Sequence, residues 1–133
     1  MGYIQYKIYK DKRVNGTGQY YGRAFHSETL SLSELADHMS AHNTPYSAGT
    51  IHGVLKDMVS CIRELLLDSK KVKLDDLAIF SLGLSTSGAN TADEFTPTKN
   101  IKKAYINALG TGEFSKKQLD IDAHFKEVEE YSK

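Results

Sequence analysis

This 133-residue sequence contains two groups of lysines whose spacing suits the binding of an anionic partner. Each group adjoins a β-prone run. The first comprises Lys70, Lys71 and Lys73, and the second comprises Lys99, Lys102 and Lys103. Lysine ammonium groups contact phosphate oxygens without reading bases, so the groups suit a nucleic-acid backbone. Binding through them would fall steeply with salt, because phosphate contacts release counterions. The plainer interpretation is that they are solvated lysines flanking strands.

The charge in the rest of the chain supports two different interpretations, DNA binding and a module that does not bind DNA. A turn near the N-terminus adds Lys10, Lys12 and Arg13, an alternative footprint for DNA. Residues 113–133 carry six acidic and four basic side chains. Over the whole chain 17 basic and 17 acidic side chains cancel, whereas an architectural DNA-binding protein is ordinarily strongly basic. This balance favours, as the alternative, a protein-interaction or structural module without DNA binding.

No group of residues has the spacing of a catalytic or metal site. His38 and His42 are four residues apart, which suits two zinc ligands on one helix, but no third ligand accompanies them. Cys61, beside an apolar helix face, is typical of a small buried side chain and not of a nucleophile. We therefore expect no enzyme, no metal, no cofactor and no small-molecule substrate.

The compartment is predicted from cysteine content and hydropathy. A single cysteine cannot form an intramolecular disulfide, which suits a reducing compartment. The first residues lack the apolar run of a signal peptide, and no stretch approaches the ~20 apolar residues of a membrane span. We expect a soluble cytoplasmic protein with no membrane partner, most economically a single domain.

The first lysine group lies between a long amphipathic helix and a pair of strands. Apolar side chains recur along the helix at spacings of three and four, which places them on one face. They are Ile51, Val54, Leu55, Met58, Ile62, Leu65 and Leu66. Beyond the lysines, Val72 and Leu74, then Phe80, Leu82 and Leu84, alternate as in strands that meet at Asp75-Asp76.

The N-terminal third predicts a hairpin followed by a short helix. β-prone runs at 3–9 and 19–25 flank a turn whose Asn15-Gly16 and Gly18 can supply positive φ. Ser31 and Glu34 have the spacing of a capping box, so a helix begins there and ends before Pro45. A helix-turn-helix also has a short helix, a turn and a longer helix. Its second helix, however, presents polar side chains from its first turn, where this chain has Ala48-Gly49-Thr50.

The second lysine group adjoins a return strand. The strand that follows Phe80 is predicted to continue to about Ser85, and a polar, mobile segment then covers 86–100. The return strand runs over 101–109 and is broken by Gly110 and Gly112. A closing amphipathic helix follows, with Ile121, Phe125 and Val128 on its apolar face.

The order of these elements, with the spacing V-x-L-x-x-L-x-x-F over residues 72–80, resembles the HU/IHF class of histone-like DNA-binding proteins. The closest resemblance is to the HU-related bacterial family with an added N-terminal β-hairpin. That family has a D-L-G-x-F turn, where this chain reads Asp76-Leu77-Ala78-Ile79-Phe80. The resemblance implies an α+β fold: a short helix, a long helix and a three-stranded antiparallel sheet with an arm. The N-terminal β-hairpin and a C-terminal helix are added to this dimerising core.

The resemblance also implies boundaries and a function. One HU-like domain would span 1–133, with the hairpin extension at 1–27, the HU-like core at 28–112 and a C-terminal helical segment at 113–133. The protein would be nucleoid-associated and would contact double-stranded DNA with low sequence specificity as a homodimer. The two lysine groups would form the DNA-binding surface at the base of the arm. The dimer interface would comprise Ile51, Val54, Leu55, Met58, Ile62, Leu65 and Phe80. The arm of HU is basic, whereas residues 86–100 contain Lys99 against Asp93 and Glu94.

Overall fold

The computed structural model describes residues 2–131, which divide into two compact units. We call residues 32–119 the central unit, and residues 1–31 with 120–133 the terminal unit. The predicted hairpin extension therefore groups with the end of the chain and not with the core that follows it. The assignment of the whole chain to a single domain with the boundaries given above stays a prediction.

The central unit begins with the predicted pair of helices, α1 (Leu32–Ser40) and α2 (Ala48–Leu67). Ser47 caps α2 by accepting a hydrogen bond from the backbone N–H of Thr50, at 3.1 Å. Ser69, with φ 62°, ends α2, and the N–H of Lys70 returns to the carbonyl of Leu65 at 3.1 Å. The start of α1 after Ser31 and its end before Pro45, predicted from the capping and turn residues, are confirmed.

A three-stranded antiparallel sheet follows, in the order β3 (Val72–Leu74), β4 (Ala78–Thr86) and β5 (Ile101–Gly110). The chain turns between β3 and β4 at Asp76, which adopts a positive φ of 63°. Gly112, two residues after the end of β5, adopts a φ of 59°, and a Cβ at this position would collide with Asp76. The predicted strands and turn are therefore present, but Gly110 still belongs to β5 and pairs with Ala78, so of the two glycines expected to break the strand only Gly112 lies beyond it.

The connection between β4 and β5 has local order where the sequence predicted a mobile segment. It contains a 3-10 turn at Ala92–Glu94 and a short helix, α3 (Pro97–Asn100). Asn100 is buried, and its side-chain amide donates to the carbonyls of Ser87 at 3.2 Å and Gly88 at 3.1 Å. These hydrogen bonds close the base of the connection across the two strands.

The terminal unit contains a sheet in the order β2 (Tyr20–Ala24), β1 (Ile4–Lys10) and β6 (Phe125–Glu127). The β1–β2 hairpin is confirmed, but of the turn residues expected to adopt positive φ only Gly18 does so, at 71°. The C-terminal helix, α4 (Lys116–Asp122), is shorter than predicted. Phe125 belongs to β6, which runs parallel to β1, so the helical prediction beyond Asp122 is wrong.

The hydrophobic core of the described residues is thin. Four apolar side chains are buried, namely Ala36, Ile51, Leu66 and Ala78, and none of them is large and fully enclosed. Many large apolar side chains remain exposed, including Val54, Leu67 and Ile106. A domain of this length normally buries far more apolar surface.

Candidate nucleic-acid interface

The two faces of the central sheet differ in chemistry because side chains alternate along each strand. Phe80, Leu82 and Ile106 line a groove together with side chains of α2, so they face the helix. Their neighbours in the strands must face the other way. On that outer face β4 presents Ser81, Gly83 and Ser85, paired with Asn107, Tyr105 and Lys103 of β5.

The outer face is polar from Ser81 onward and carries two of the predicted lysines. Lys103 lies beside Ser85, and Lys73 of β3 lies beside Ile79. The ring of Tyr105 lies across Gly83, close enough that a Cβ on Gly83 would collide with it. Lysine, serine, tyrosine and asparagine side chains all make hydrogen bonds to phosphate and sugar oxygens. This face can therefore hold a nucleic-acid backbone.

The two lysine groups are only partly brought together. Lys73 and Lys103 pair with positions of β4 that are six residues apart, which corresponds to about 20 Å along the strand. Lys70 and Lys71, in contrast, line a cleft that also includes Leu84 and Ala104, next to Lys103. Leu84 and Ala104 belong to the helix side of the sheet, so Lys70 and Lys71 lie on that side, whereas Lys73 and Lys103 lie on the outer face. The six lysines therefore do not form the single cluster expected at the base of the arm.

Some of these lysines already have partners within the chain. The ammonium group of Lys70 pairs with the carboxylate of Asp68, and both side chains are well exposed. Lys102 lies at a register irregularity of β5 and donates to the carbonyl of Lys99 at 3.0 Å. Such surface pairs are weak, so both ammonium groups remain available to phosphate.

Three of the seven predicted dimer residues, Met58, Ile62 and Phe80, line an apolar groove of about 500 Å³ between α2 and the sheet. Leu66, Leu74 and Leu82 line it with them. Val54 and Leu65 are exposed on α2, and Leu55 is half-buried. Ile51 differs from the other six because it is already buried within a single chain, with only 8% of its surface exposed. It has little surface left to offer a partner.

The alternative basic footprint, the turn of the terminal hairpin, is organised around a carboxylate. The side chain of Asp11 accepts hydrogen bonds from Nε and Nη2 of Arg13, at 3.0 and 3.1 Å. It also accepts from the backbone N–H of Thr17 at 2.9 Å. The hydrogen bond from the Arg13 side chain is the largest cause that lowers the pKa of Asp11 from 3.8 to about 2, and the backbone N–H groups of Thr17 and Arg13 contribute next. Gly16 is required here because a Cβ would collide with that carboxylate.

Sequence reasoning missed several residues of these surfaces. Ser81, Gly83 and Ser85 alternate with Leu82 and Leu84, and this alternation of small polar and large apolar residues already indicates a two-faced strand. The role of Asp11 also has a signal, since aspartate commonly bonds the backbone two residues on in a turn, as it does here with Arg13 at 3.2 Å.

The remaining candidate residues form no larger cluster. His38 and His42 contact each other through their Nε2 atoms at 3.1 Å, and within residues 2–131 no group of three potential metal ligands occurs. Cys61 is exposed on α2, so the prediction that it is buried is wrong; the helix packs against the sheet and α1 along other positions. None of the described helices is long and apolar enough to cross a membrane.

The short helix, the long helix and the three-stranded antiparallel sheet together define an HU-type domain. The chain belongs to the HU-HIG family, an HU domain fused to a wHTH, Ig or glycine-rich motif, whose sequence profile matches residues 3–120. No curated protein sequence matches the chain. Its fold is similar to the crystal structure of a candidate bacterial DNA-binding protein from Bacteroides vulgatus, with a TM-score of 0.69 and 12% identity. The match covers 98% of this chain and 50% of that protein, so the chain spans half its length.

Proposed function

We propose that this protein binds the backbone of double-stranded DNA with low sequence specificity, as a homodimer and without enzymatic activity. The observation that carries the proposal is the outer face of the central sheet. In an HU-type domain it combines Lys73 and Lys103 with hydrogen-bonding side chains, and it points away from the apolar groove. A nucleoid-associated role in a bacterial cytoplasm would follow from such binding.

The homodimer is supported by the surface that the single chain leaves uncovered. The groove beside α2 is almost entirely apolar and is lined by Met58, Ile62 and Phe80. Ile106 at its edge is 62% exposed. Contiguous apolar surface of this kind is characteristic of obligate interfaces, which resemble a divided core. A second copy of the chain would supply the missing half of the core.

The test compares two triple variants of equal charge. Lys73, Lys99 and Lys103 are changed to alanine in one, and Lys56, Lys116 and Lys117 in the other. Binding to a labelled duplex is followed by fluorescence anisotropy across a salt series. We expect the first variant alone to weaken binding to every duplex sequence. We also expect the slope of log affinity against log salt to shrink by roughly one for each lysine–phosphate interaction that the substitutions remove.

Equal weakening in both triple variants would mean that net charge, and not the position of Lys73, Lys99 and Lys103, governs binding. The competing function is a protein-interaction or structural module that has lost DNA binding. The balanced charge of the chain and the acidic Asp93 and Glu94 in the β4–β5 connection favour it. Absence of duplex binding at low salt, with the dimer intact, would support that module and refute the proposal.

A further inference from the structure

One face of the terminal sheet carries aromatic and basic side chains in alternation. Residues that pair directly across strands share a face, so Lys7 lies beside Arg23 and Tyr9 beside Tyr21. Lys126 of β6 joins the same face, because it pairs with Gln5. We call this set, Lys7, Tyr9, Tyr21, Arg23 and Lys126, the aromatic–basic face.

The side chains of this face make cation–π contacts and a tilted contact between two rings. The guanidinium of Arg23 lies 4.2 Å from the ring centroid of Tyr9, and Lys7 lies 4.8 Å from that of Phe25. The rings of Tyr9 and Tyr21 are 6.0 Å apart and inclined by 35°. Such contacts hold flat groups in fixed orientations at the surface of a sheet.

The face is exposed even though its side chains are large. Tyr9 is 37% and Tyr21 is 38% exposed, and every residue of β2 is exposed. A groove of about 620 Å³ runs past both rings, with Arg13 and Arg23 among its walls. Both rings therefore keep part of their surface accessible to a ligand, beside the cations of the same face.

Charge on this side of the sheet is one-sided. The charged side chains of β1, β2 and β6 on this face are Lys7, Arg23 and Lys126, all of them basic, and Asp11 lies in the adjoining turn. The carboxylate of Asp11 is only 8% exposed and is engaged by Arg13 and Thr17, so it offers little repulsion to an anion. Glu127 of β6 pairs with Tyr6 and therefore lies on the opposite face.

We propose that the aromatic–basic face binds single-stranded nucleic acid. Bases would stack on the ring of Tyr21 and on the guanidinium of Arg23, while Lys7 and Lys126 contact phosphates. The backbone of a duplex can be bound by cations alone. Its bases are stacked on one another inside the helix, so they cannot stack on exposed aromatic rings of the protein. The rings therefore favour a single strand. The proposal does not depend on duplex binding by the central unit.

The test uses the full chain and a labelled oligo(dT) of about 20 nucleotides, longer than the single-strand sites of comparable sheets. Replacing Tyr21 with leucine removes the ring but keeps an apolar strand residue. We expect Tyr21→Leu to weaken oligo(dT) binding about tenfold, the loss of one stacked base. Tyr21→Phe should retain binding, because it keeps the ring and removes only the hydroxyl, which hydrogen-bonds with Thr17 and Gln19.

Tyr20→Leu is the matched control, since Tyr20 is the preceding residue of β2 and lies on the opposite face. We expect it to leave oligo(dT) affinity unchanged, and we expect Tyr21→Leu to leave duplex affinity unchanged. Equal loss in Tyr20→Leu and Tyr21→Leu, or equal loss for duplex and oligo(dT), would overturn the proposal. The second outcome would assign this face to duplex DNA.

A measurement on the unaltered protein guards against a variant that fails to fold. Oligonucleotides carrying a photoreactive thymine analogue are crosslinked to the chain, and the modified peptides are identified by mass spectrometry. We expect crosslinks at Tyr9 or Tyr21. Crosslinks confined to residues 70–103 would overturn the proposal while leaving the proposed duplex function intact, so the two can fail separately.

Discussion

The two three-stranded sheets expose different side chains, although the two units have the same charge balance. The terminal unit has seven acidic and seven basic residues, and the central unit has ten of each. The central sheet presents isolated lysines among serine and asparagine on one side, and an apolar groove on the other. The terminal sheet presents cations stacked on aromatic rings. A net charge of zero therefore says little about binding, because the alternation of side chains along a strand sorts charges onto faces.

The sheets also differ in what they need for stability. The central sheet covers α2 incompletely, so we infer that it depends on a second copy of the chain. The hairpin of the terminal sheet is held by the hydrogen bonds of Asp11 and by the contact between the rings of Tyr9 and Tyr21, all within a single chain. Variants that act on one sheet and spare the other sharpen this comparison.

The largest effect is expected from Met58→Glu. Met58 lies in the apolar groove, where an unpaired carboxylate covered by a partner would cost several kcal/mol. We expect the dimer and the folded central unit to be lost together, because neither chain alone buries enough apolar surface. Light scattering coupled to gel filtration measures the mass, and thermal unfolding followed by circular dichroism measures the stability.

Ser60→Glu is the control for Met58→Glu. Ser60 is exposed on the same helix and does not line the groove, so the added charge should leave the mass and the melting temperature nearly unchanged. An unaltered protein with the mass of a monomer at micromolar concentration would remove the homodimer from the proposed function. So would a Met58→Glu variant that remains dimeric.

Local sequence signals predicted most of the fold. The start of α1 after Ser31, the turn at Asp76 and the glycine at 112 are decided by neighbouring residues, and the structure confirms each one. β6 was missed because Phe125-Lys126-Glu127 is short and becomes a strand only by pairing with β1, over a hundred residues earlier. Pairing over that separation leaves no local trace in the sequence.

The site was less predictable than the fold for a similar reason. The sequence shows that the lysines lie close to predicted strands. Which of them share a face of the sheet is decided by the register of β3 and β5 against β4. That register separates Lys73 from Lys103 and places Tyr105 and Asn107 beside Lys103. Likewise, Cys61 was expected to be buried because its neighbours are apolar, but a helix position one step off the packed stripe stays exposed.

A smaller effect, of opposite sign in the two sheets, is expected from glycine-to-alanine changes. A Cβ at Gly83 would meet the ring of Tyr105 at 2.8 Å and Nδ2 of Asn107 at 2.9 Å, so the outer face must rearrange. A Cβ at Gly22 would meet the ring of Tyr6 at an ordinary 3.7 Å. We expect Gly83→Ala to destabilise by about 1 kcal/mol. Gly22→Ala should stabilise by roughly 0.5 kcal/mol, because glycine weakens a strand.

Chemical denaturation of the two variants measures these differences against the unaltered protein. If Gly83→Ala proves neutral and leaves duplex affinity intact, Tyr105 and Asn107 can move aside freely, and the outer face is not a preorganised surface. If Gly22→Ala is destabilising, the space beside Gly22 is tighter than the 3.7 Å distance to the ring of Tyr6 indicates.

The smallest effect concerns the hairpin turn and acid. The hydrogen bonds from Arg13 and Thr17 lower the pKa of Asp11 from 3.8 to about 2 in the folded state. The carboxylate therefore contributes stability that is fully present above pH 3.8 and is lost as the pH falls towards 2. The Arg13 side chain is 81% exposed, so solvent screens the ion pair and the contribution to stability is small.

The measurement is a pH titration of the Thr17 backbone amide followed by NMR. We expect a transition near pH 2 that is absent in Asp11→Asn and retained in Asp57→Asn. A Thr17 transition near the ordinary carboxylate pKa of about 4 would mean that the turn is not organised around this carboxylate. The terminal hairpin would then keep only the contact between its aromatic rings as internal support, and the contrast with the central sheet would weaken.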